Sequence, residues 1–230
     1  MKFFDNLKEA SAAKALKRAN DAQLSNYQRQ LGQWQANKDL GVLMLDAFTK
    51  VSQGTDAVDS GAVMKAGEFA IWSGPASYHE SKQLPGSYVG RSNGISVPLG
   101  HGFRYRTGAT KGTFVPGNQV QATVDSGSVI MTTNRVIFNG NLKTQEWAFE
   151  KWTGADASDD ERIFMIHVTN RQKVSGVNFP TVVEGNTFNQ FLGFALQIPR
   201  SGLAGVIKEI QDAIAENEKA KPAQPAPLTD

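Results

Sequence analysis

Residues 125–140, DSGSVIMTTNRVIFNG, spell out a hairpin. Val129 and Met131 share one face of its first arm, Val136 and Phe138 repeat the two-residue period on the second, and Thr132 to Arg135 supply the polar bend. Two such arms belong to a sheet core, and the rest of the chain reads as material wrapped around them. The bend itself is Thr133-Asn134. A two-residue type I′ turn favours Asn-Gly, because threonine tolerates positive φ poorly, so a longer turn is expected here.

Upstream and downstream of the hairpin the texture is that of an antiparallel sheet. Glycines recur at Gly74, Gly86, Gly90, Gly94, Gly100, Gly102, Gly108, Gly112 and Gly117, with short β-prone runs between them. Strands are expected at 68–72, 95–99, 103–107, 119–123, 128–132, 135–138, 144–150, 163–168 and 177–183. Helical signals lie at the two ends. Residues 2–38 hold no proline and only Gly32, and are rich in Ala, Lys, Gln and Leu, which predicts one long helix or two shorter ones. A further short helix is expected at 40–50, and the polar SQGTDAVDSG that follows reads as a linker. Near the C-terminus, Pro199 and a Ser201 N-cap introduce a helix whose Leu203, Val206, Ile207, Ile210, Ala213 and Ile214 form one face. That face should dock on the sheet. After Lys221, PAQPAPLTD is rich in proline and poor in charge, the composition of an extended, mobile tail.

The expected organisation is therefore a helical arm at 1–52, a linker at 53–65, a sheet domain with a C-terminal capping helix at 66–220, and a disordered tail at 221–230. The fold class is α+β, mainly β.

Composition excludes more than it identifies. The 24 Lys+Arg against 22 Asp+Glu leave a formal charge of +2, without the broad basic footprint that nucleic acid demands. No nucleic acid partner is expected. Cysteine is absent, which removes disulfides, thiolate metal sites and thiol catalysis. No run of about 18 apolar residues occurs, and MKFFDNLKEASAAKALKR lacks the apolar core of a secretory signal, so a cytoplasmic location, with or without peripheral membrane attachment, is expected.

The hairpin resembles that of bacterial pleckstrin-homology-like domains, related in shape to GRAM modules. The positions that carry the resemblance are Asp125, Gly127, Thr132, Arg135, Val136, Ile137 and Phe138, with Ser96, Gly102, Tyr105 and Gly108 in the preceding ISVPLGHGFRYRTGATKGTF. It covers about residues 66–215. The resemblance implies a strongly bent antiparallel sheet, nearly a closed barrel, with a C-terminal helix plugging one open end. It also implies a binding module rather than an enzyme. The basic signature with which lipid-reading relatives of this fold hold headgroups has no counterpart in residues 73–95, where Lys82 and Arg91 stand alone.

Candidate contacts follow from residue type and spacing. Arg104 and Arg106 alternate on one strand and Lys111 is expected in the next bend; together they suit a phosphate or an acidic peptide, or else form an ordinary solvated face. GATKGT at 108–113 lacks the strand–loop–helix context of a phosphate loop and reads as a hairpin loop. Leu24, Tyr27, Leu31 and Trp34 follow 3, 4, 3 spacing, which places them on one helical stripe that needs a partner, either the chain's own domain or another protein. Arg135 is expected to tie down the hairpin through carbonyls or a carboxylate such as Asp125. His79, His101 and His167 are too scattered for a metal site, the acidic Asp156, Asp159, Asp160 and Glu161 read as solvated charge, and no nucleophile elbow, zinc-binding helix or dinucleotide turn occurs.

A non-catalytic adaptor without metal or cofactor is thus expected, working through a protein partner. The alternative is anionic-lipid binding through Phe3, Phe4, Leu7 and the neighbouring lysines, assisted by the basic sheet face.

Overall fold

The structure, a computed structural model, describes the backbone of residues 2–83, 87–92, 95–100, 103–107, 110–115 and 119–228, and the side chains of residues 11, 13–80 and 122–228. With no proline to interrupt it, α1 (Lys2–Ser52) is a single 51-residue helix. At 1.5 Å per residue it is about 75 Å long. The apolar segment at 40–50, expected as a separate helix, is its last part. The helix stops where Gly54 takes a φ of 78°, donating to the Val51 carbonyl at 3.1 Å while Thr55 donates to that of Lys50 at 3.1 Å. These two bonds satisfy carbonyls that the helix end would otherwise leave open.

The chain is α+β. Its strands are β1 (Ala70–Gln83), β2 (Ser87–Ser92), β3 (Ile95–Gly100), β4 (Phe103–Thr107), β5 (Thr110–Val115), β6 (Gln119–Thr132), β7 (Arg135–Gly140), β8 (Thr144–Ala148), β9 (Trp152–Ala157), β10 (Ile163–Val168) and β11 (Ser175–Asn178). Seven form one antiparallel sheet in the order β8-β7-β6-β1-β11-β10-β9, which is not the nearly closed barrel expected. The pairs β2-β5 and β3-β4 are separate two-stranded ladders. The β6–β7 hairpin lies where the sequence placed it, but its connection is only Thr133-Asn134. Among the described residues the one non-glycine with positive φ is Glu161, so this turn closes without the left-handed residues of type I′. Side-chain bonds hold it instead: the Thr132 hydroxyl accepts from the amides of Asn134 and Arg135, and Thr133 exchanges bonds with the backbone of Phe69. Residues 119–132, expected as two strands, are one.

By compactness the chain divides into two units, 1–74 with 130–137 and 186–230, and 75–129 with 138–185. These units cut across the linear division above. In the first, Phe48 and Trp72 are joined through Phe191, with ring centroids 6.2 Å apart in both pairs, and Phe188 meets Trp72 at 6.0 Å. The segment read as a linker is packed there too. Val58, Ala62 and Met64 lie against Ala70, Ile130 and Ile137, and Asp56 accepts from the Ala70 amide at 2.7 Å.

Phe188 and Phe191 belong to α2 (Val182–Ala195), where a strand at 177–183 had been expected. β-branched Val182 and Val183, together with Gly185 and Gly193, disguise a helix on propensity. Its start was nonetheless written in the chain as Thr181-Val-Val-Glu184. The Glu184 amide donates to the Thr181 hydroxyl oxygen at 3.2 Å and the Glu184 carboxylate accepts from the Thr181 amide at 3.0 Å, a reciprocal capping box. Thr181→Ala should lower stability by about 1 kcal/mol, read as a shift in urea midpoint at unchanged slope.

The last helix, α3 (Ile198–Lys219), is broken at Gly202, whose φ is 67°, one residue after the expected Ser201 cap. Its apolar face docks against α1 rather than on the sheet. A side-chain carbon at Gly41 of α1 would come within 2.8 Å of Ile214, so glycine there permits the close approach of the two helices.

In the second unit Trp147 is fully buried, and Tyr78 lies between it and Phe138 at centroid distances of 6.1 and 5.4 Å. Asp125 stitches the turn after β7, accepting from the amides of Leu142 at 2.8 Å and Lys143 at 2.9 Å.

Candidate functional site

The stripe expected at Leu24, Tyr27, Leu31 and Trp34 lies on α1, and the structure shows what meets it. Trp34 is buried, Tyr27 and Leu31 are half-buried, and Leu24 is 46% exposed. Leu24 therefore sits at the margin. The half-covered line upstream of Trp34 is Leu16, Asn20, Gln23, Tyr27 and Leu31, at spacings of four, three, four and four, one face of a helix.

Trp34 is the junction. Its indole N–H donates to the Asn217 carbonyl of α3 at 2.7 Å, and the Asn217 amide returns a bond to the Trp34 carbonyl at 3.2 Å. Lys38 and Lys221 lie 5.3 and 5.0 Å from the ring centroid, within cation–π range. Lys38 also pairs with Glu218 at 2.5 Å. Beyond α3 the tail keeps to α1. Asn20 donates its side-chain N–H to the Leu228 carbonyl at 3.2 Å and accepts from the Leu228 amide at 2.7 Å, clasping both backbone groups of one residue. Trp34 of the stripe thus packs on the chain's own α3, and residues 221–228 return to the same helix at Asn20.

The other candidates are placed less fully. Arg104 and Arg106 are on β4, opposite Pro98 and Ser96 of β3, while Lys111 is on β5 opposite Arg91 of β2. Lys111 is therefore in a strand and not in a bend, because Thr110, Thr113, Phe114 and Val115 carry the β-preference through Gly112. The side chains of all three cations, and those of Phe3, Phe4 and Leu7, lie outside the described residues, as does His101.

Arg135 binds a carboxylate, but Glu68 rather than Asp125. Its guanidinium donates to both oxygens of Glu68, at 2.8 and 2.9 Å, and to the Val63 carbonyl at 3.1 Å; the Thr132 hydroxyl donates to Glu68 at 2.6 Å. Burial pushes the Glu68 carboxyl up, but the bonds from Arg135, Thr132 and the Lys65 amide, with the Arg135 charge, outweigh it and hold the group below its ordinary value. This cluster locks the hairpin. Its members are three consecutive structural needs met at once: a buried turn, a bidentate pair and a satisfied hydroxyl.

A polar basin of about 400 Å³, which the sequence reading missed, opens in the second unit, lined by Tyr78, Glu80, Gln145, Arg171, Gln172, Lys173 and Ser175. Glu80 is bound by the Lys143 ammonium and by the Tyr78 hydroxyl at 2.8 Å, and those bonds hold its carboxyl below the usual range. Lys143 also sits 4.7 Å from the Tyr78 ring centroid. The basin is lined by one carboxylate and two cations, and Arg171 donates to the Glu146 carbonyl at 3.0 Å. Next to Glu80 on β1, His79 is buried with Nε2 on the Thr123 hydroxyl at 2.9 Å and no partner at Nδ1, and burial pushes its pKa down. His167 instead pairs with Asp156 at 2.8 Å at the surface. Among the described residues no group of three His, Cys, Asp or Glu is placed to hold a metal ion, and no helix is long and apolar enough to cross a membrane.

No known family model matches this chain, and neither a curated protein nor a solved structure matches it. The pleckstrin-homology resemblance therefore rests on the sequence residues named above alone.

Proposed function

We propose that the chain is a non-catalytic adaptor that binds another protein through the upstream part of α1, with the downstream part of the helix anchored on α2 and α3. The observation that carries this reading is the distribution of burial along α1. Among the described side chains none before Trp34 is buried, whereas Trp34, Met44, Ala47, Phe48 and Val51 are. Among the described side chains, those of residues 13–33 thus line about 32 Å of helix without a buried member. An isolated helix gains little from propensity alone, and most helical stability in proteins comes from packing an apolar stripe. A helix of this length that presents Leu16, Tyr27 and Leu31 in line is suited to a protein partner.

The test is site-specific photo-crosslinking in the host cell from position 24, at the margin of the stripe, against position 142 on the β7–β8 turn as a control. A discrete heavier species from position 24 alone is expected. Its absence, together with salt-sensitive pelleting of the chain on anionic but not neutral vesicles, would overturn the adaptor reading in favour of membrane attachment.

A further inference from the structure

We infer that the Asn20–Trp34 face of α1 is a receptor for an extended, proline-bearing segment, and that the chain's own C-terminal tail occupies it as a displaceable self-ligand. The inference rests on the adaptor reading and names the partner's chemistry. Three independent features of the structure meet here. The first is length. Lys221 is fixed at Trp34 and Leu228 at Asn20, a separation of fourteen helical residues, or about 21 Å at 1.5 Å each. Seven residues of polyproline II helix, at 3.1 Å each, span about 22 Å. The tail reaches its second anchor only if it is extended, and residues 221–228 form neither helix nor strand.

The second feature is period. Polyproline II repeats every three residues, so Pro222, Pro225 and Leu228 fall on one face. Pro222 and Pro225 are half-buried, whereas Ala223, Gln224, Ala226 and Pro227 are exposed; Leu228, 46% exposed, is held by its backbone and not by its side chain. The face turned away from water is the one that carries the Pro-x-x-Pro spacing. The third feature is the chemistry of the two anchors. The cation on the indole adds attraction, and the amide side chain that reads a backbone N–H and C=O together is an interaction an extended peptide can satisfy and a helix interior cannot, since a helix keeps its own backbone groups paired. Proline-rich ligands favour such surfaces because their bound shape is already populated when free.

The recognised pattern is accordingly a basic residue followed directly by Pro-x-x-Pro, with a free backbone N–H and C=O three residues further on, as in Lys221 to Leu228. A partner carrying it must displace the tail, which makes the tail an intramolecular inhibitor of the adaptor's own contact face. Because tail and helix are joined in one chain, a weak contact suffices to keep the face covered.

A fluorescent peptide with the sequence of residues 219–230 tests this, titrated by anisotropy into the full chain and into the full chain carrying Pro222→Ser and Pro225→Ser. The peptide should bind the substituted chain at least tenfold more tightly than the unsubstituted one, and adding Asn20→Ala should remove most of that gain. Hydrogen exchange at the Leu228 amide reports directly whether the chain's own tail has left. Equal binding to both chains, no binding to either, or a Leu228 amide still protected after both proline substitutions would overturn the proposal. Crosslinking from position 24 in cells separates this result from the adaptor reading: peptide binding as expected with no heavier crosslinked species leaves self-recognition standing and retires the adaptor.

Discussion

Arg135→Met lowers the stability of the fold by about 3–5 kcal/mol, because it leaves the Glu68 carboxylate buried without its counter-ion. Glu68 is 3% exposed and both its oxygens accept from the guanidinium. The same substitution also releases the Val63 carbonyl. Replacing both members, Glu68→Met with Arg135→Met, should recover most of the loss, since the cost comes from the orphaned charge more than from the absent pair. The pH dependence distinguishes this from simple loss of packing. In the native chain Glu68 titrates below its ordinary 4.5, so its contribution is complete above about that pH and is lost as pH falls through the lowered value. In Arg135→Met the lowering by the Arg135 bonds and charge is gone while the burial remains, so the carboxyl titrates higher than in the native chain. The stability that the pair adds is therefore present where Glu68 is ionised and lost as pH falls and the carboxyl takes up its proton. Urea midpoints measured between pH 3 and 8 should therefore show the gap between the two chains narrowing toward acid. A gap independent of pH would mean that Arg135 acts through its aliphatic stem and not its charge.

Phe48→Ala should cost about 3–5 kcal/mol, the range for deleting a fully buried aromatic ring. Phe48 is 0% exposed, lies 6.2 Å from Phe191 in a stacked arrangement and meets Phe194 edge-on at 6.4 Å. It is the side chain through which α1 grips α2. Phe48→Leu, which keeps most of the apolar area, should lose clearly less. The functional consequence follows from the geometry of the first unit: without the ring, the downstream turns of α1 lose their seat and the upstream stripe loses its base. Limited proteolysis should then cleave in α1 before it cleaves in the sheet. Protection of α1 unchanged from the native chain would show that α3, through Trp34 and Gly41, suffices to hold it.

The hairpin was legible because its information is local. Alternation at Val129, Met131, Val136 and Phe138 and a polar bend are properties of sixteen consecutive residues, and the strands formed there. The long N-terminal helix was legible for the same reason, although its continuity through residues 38–40 was not, since nothing but the absence of a breaker marks it. α2 was missed because composition was weighed above the capping box at Thr181 and Glu184, and packing of Phe188 and Phe191 overrides the weak propensity of the segment. The stripe at Tyr27, Leu31 and Trp34 was visible as a helical period, while its occupant was not. Periodicity states that a face must be covered and carries no information about what covers it.

The chain by itself determined the α+β class, the helix and strand character of its most regular segments and the need for something to lie along α1, because these depend on neighbours within a few residues. Only the tertiary structure decided that Arg135 is answered by Glu68, that α3 packs on α1, that Glu80 is bound by both Tyr78 and Lys143, and that the tail returns to Asn20. Each of those joins residues between 2 and 208 positions apart. Such pairings are chosen by which arrangement satisfies the most buried polar groups and covers the most apolar surface at once, a property of the folded whole that no single stretch of sequence carries.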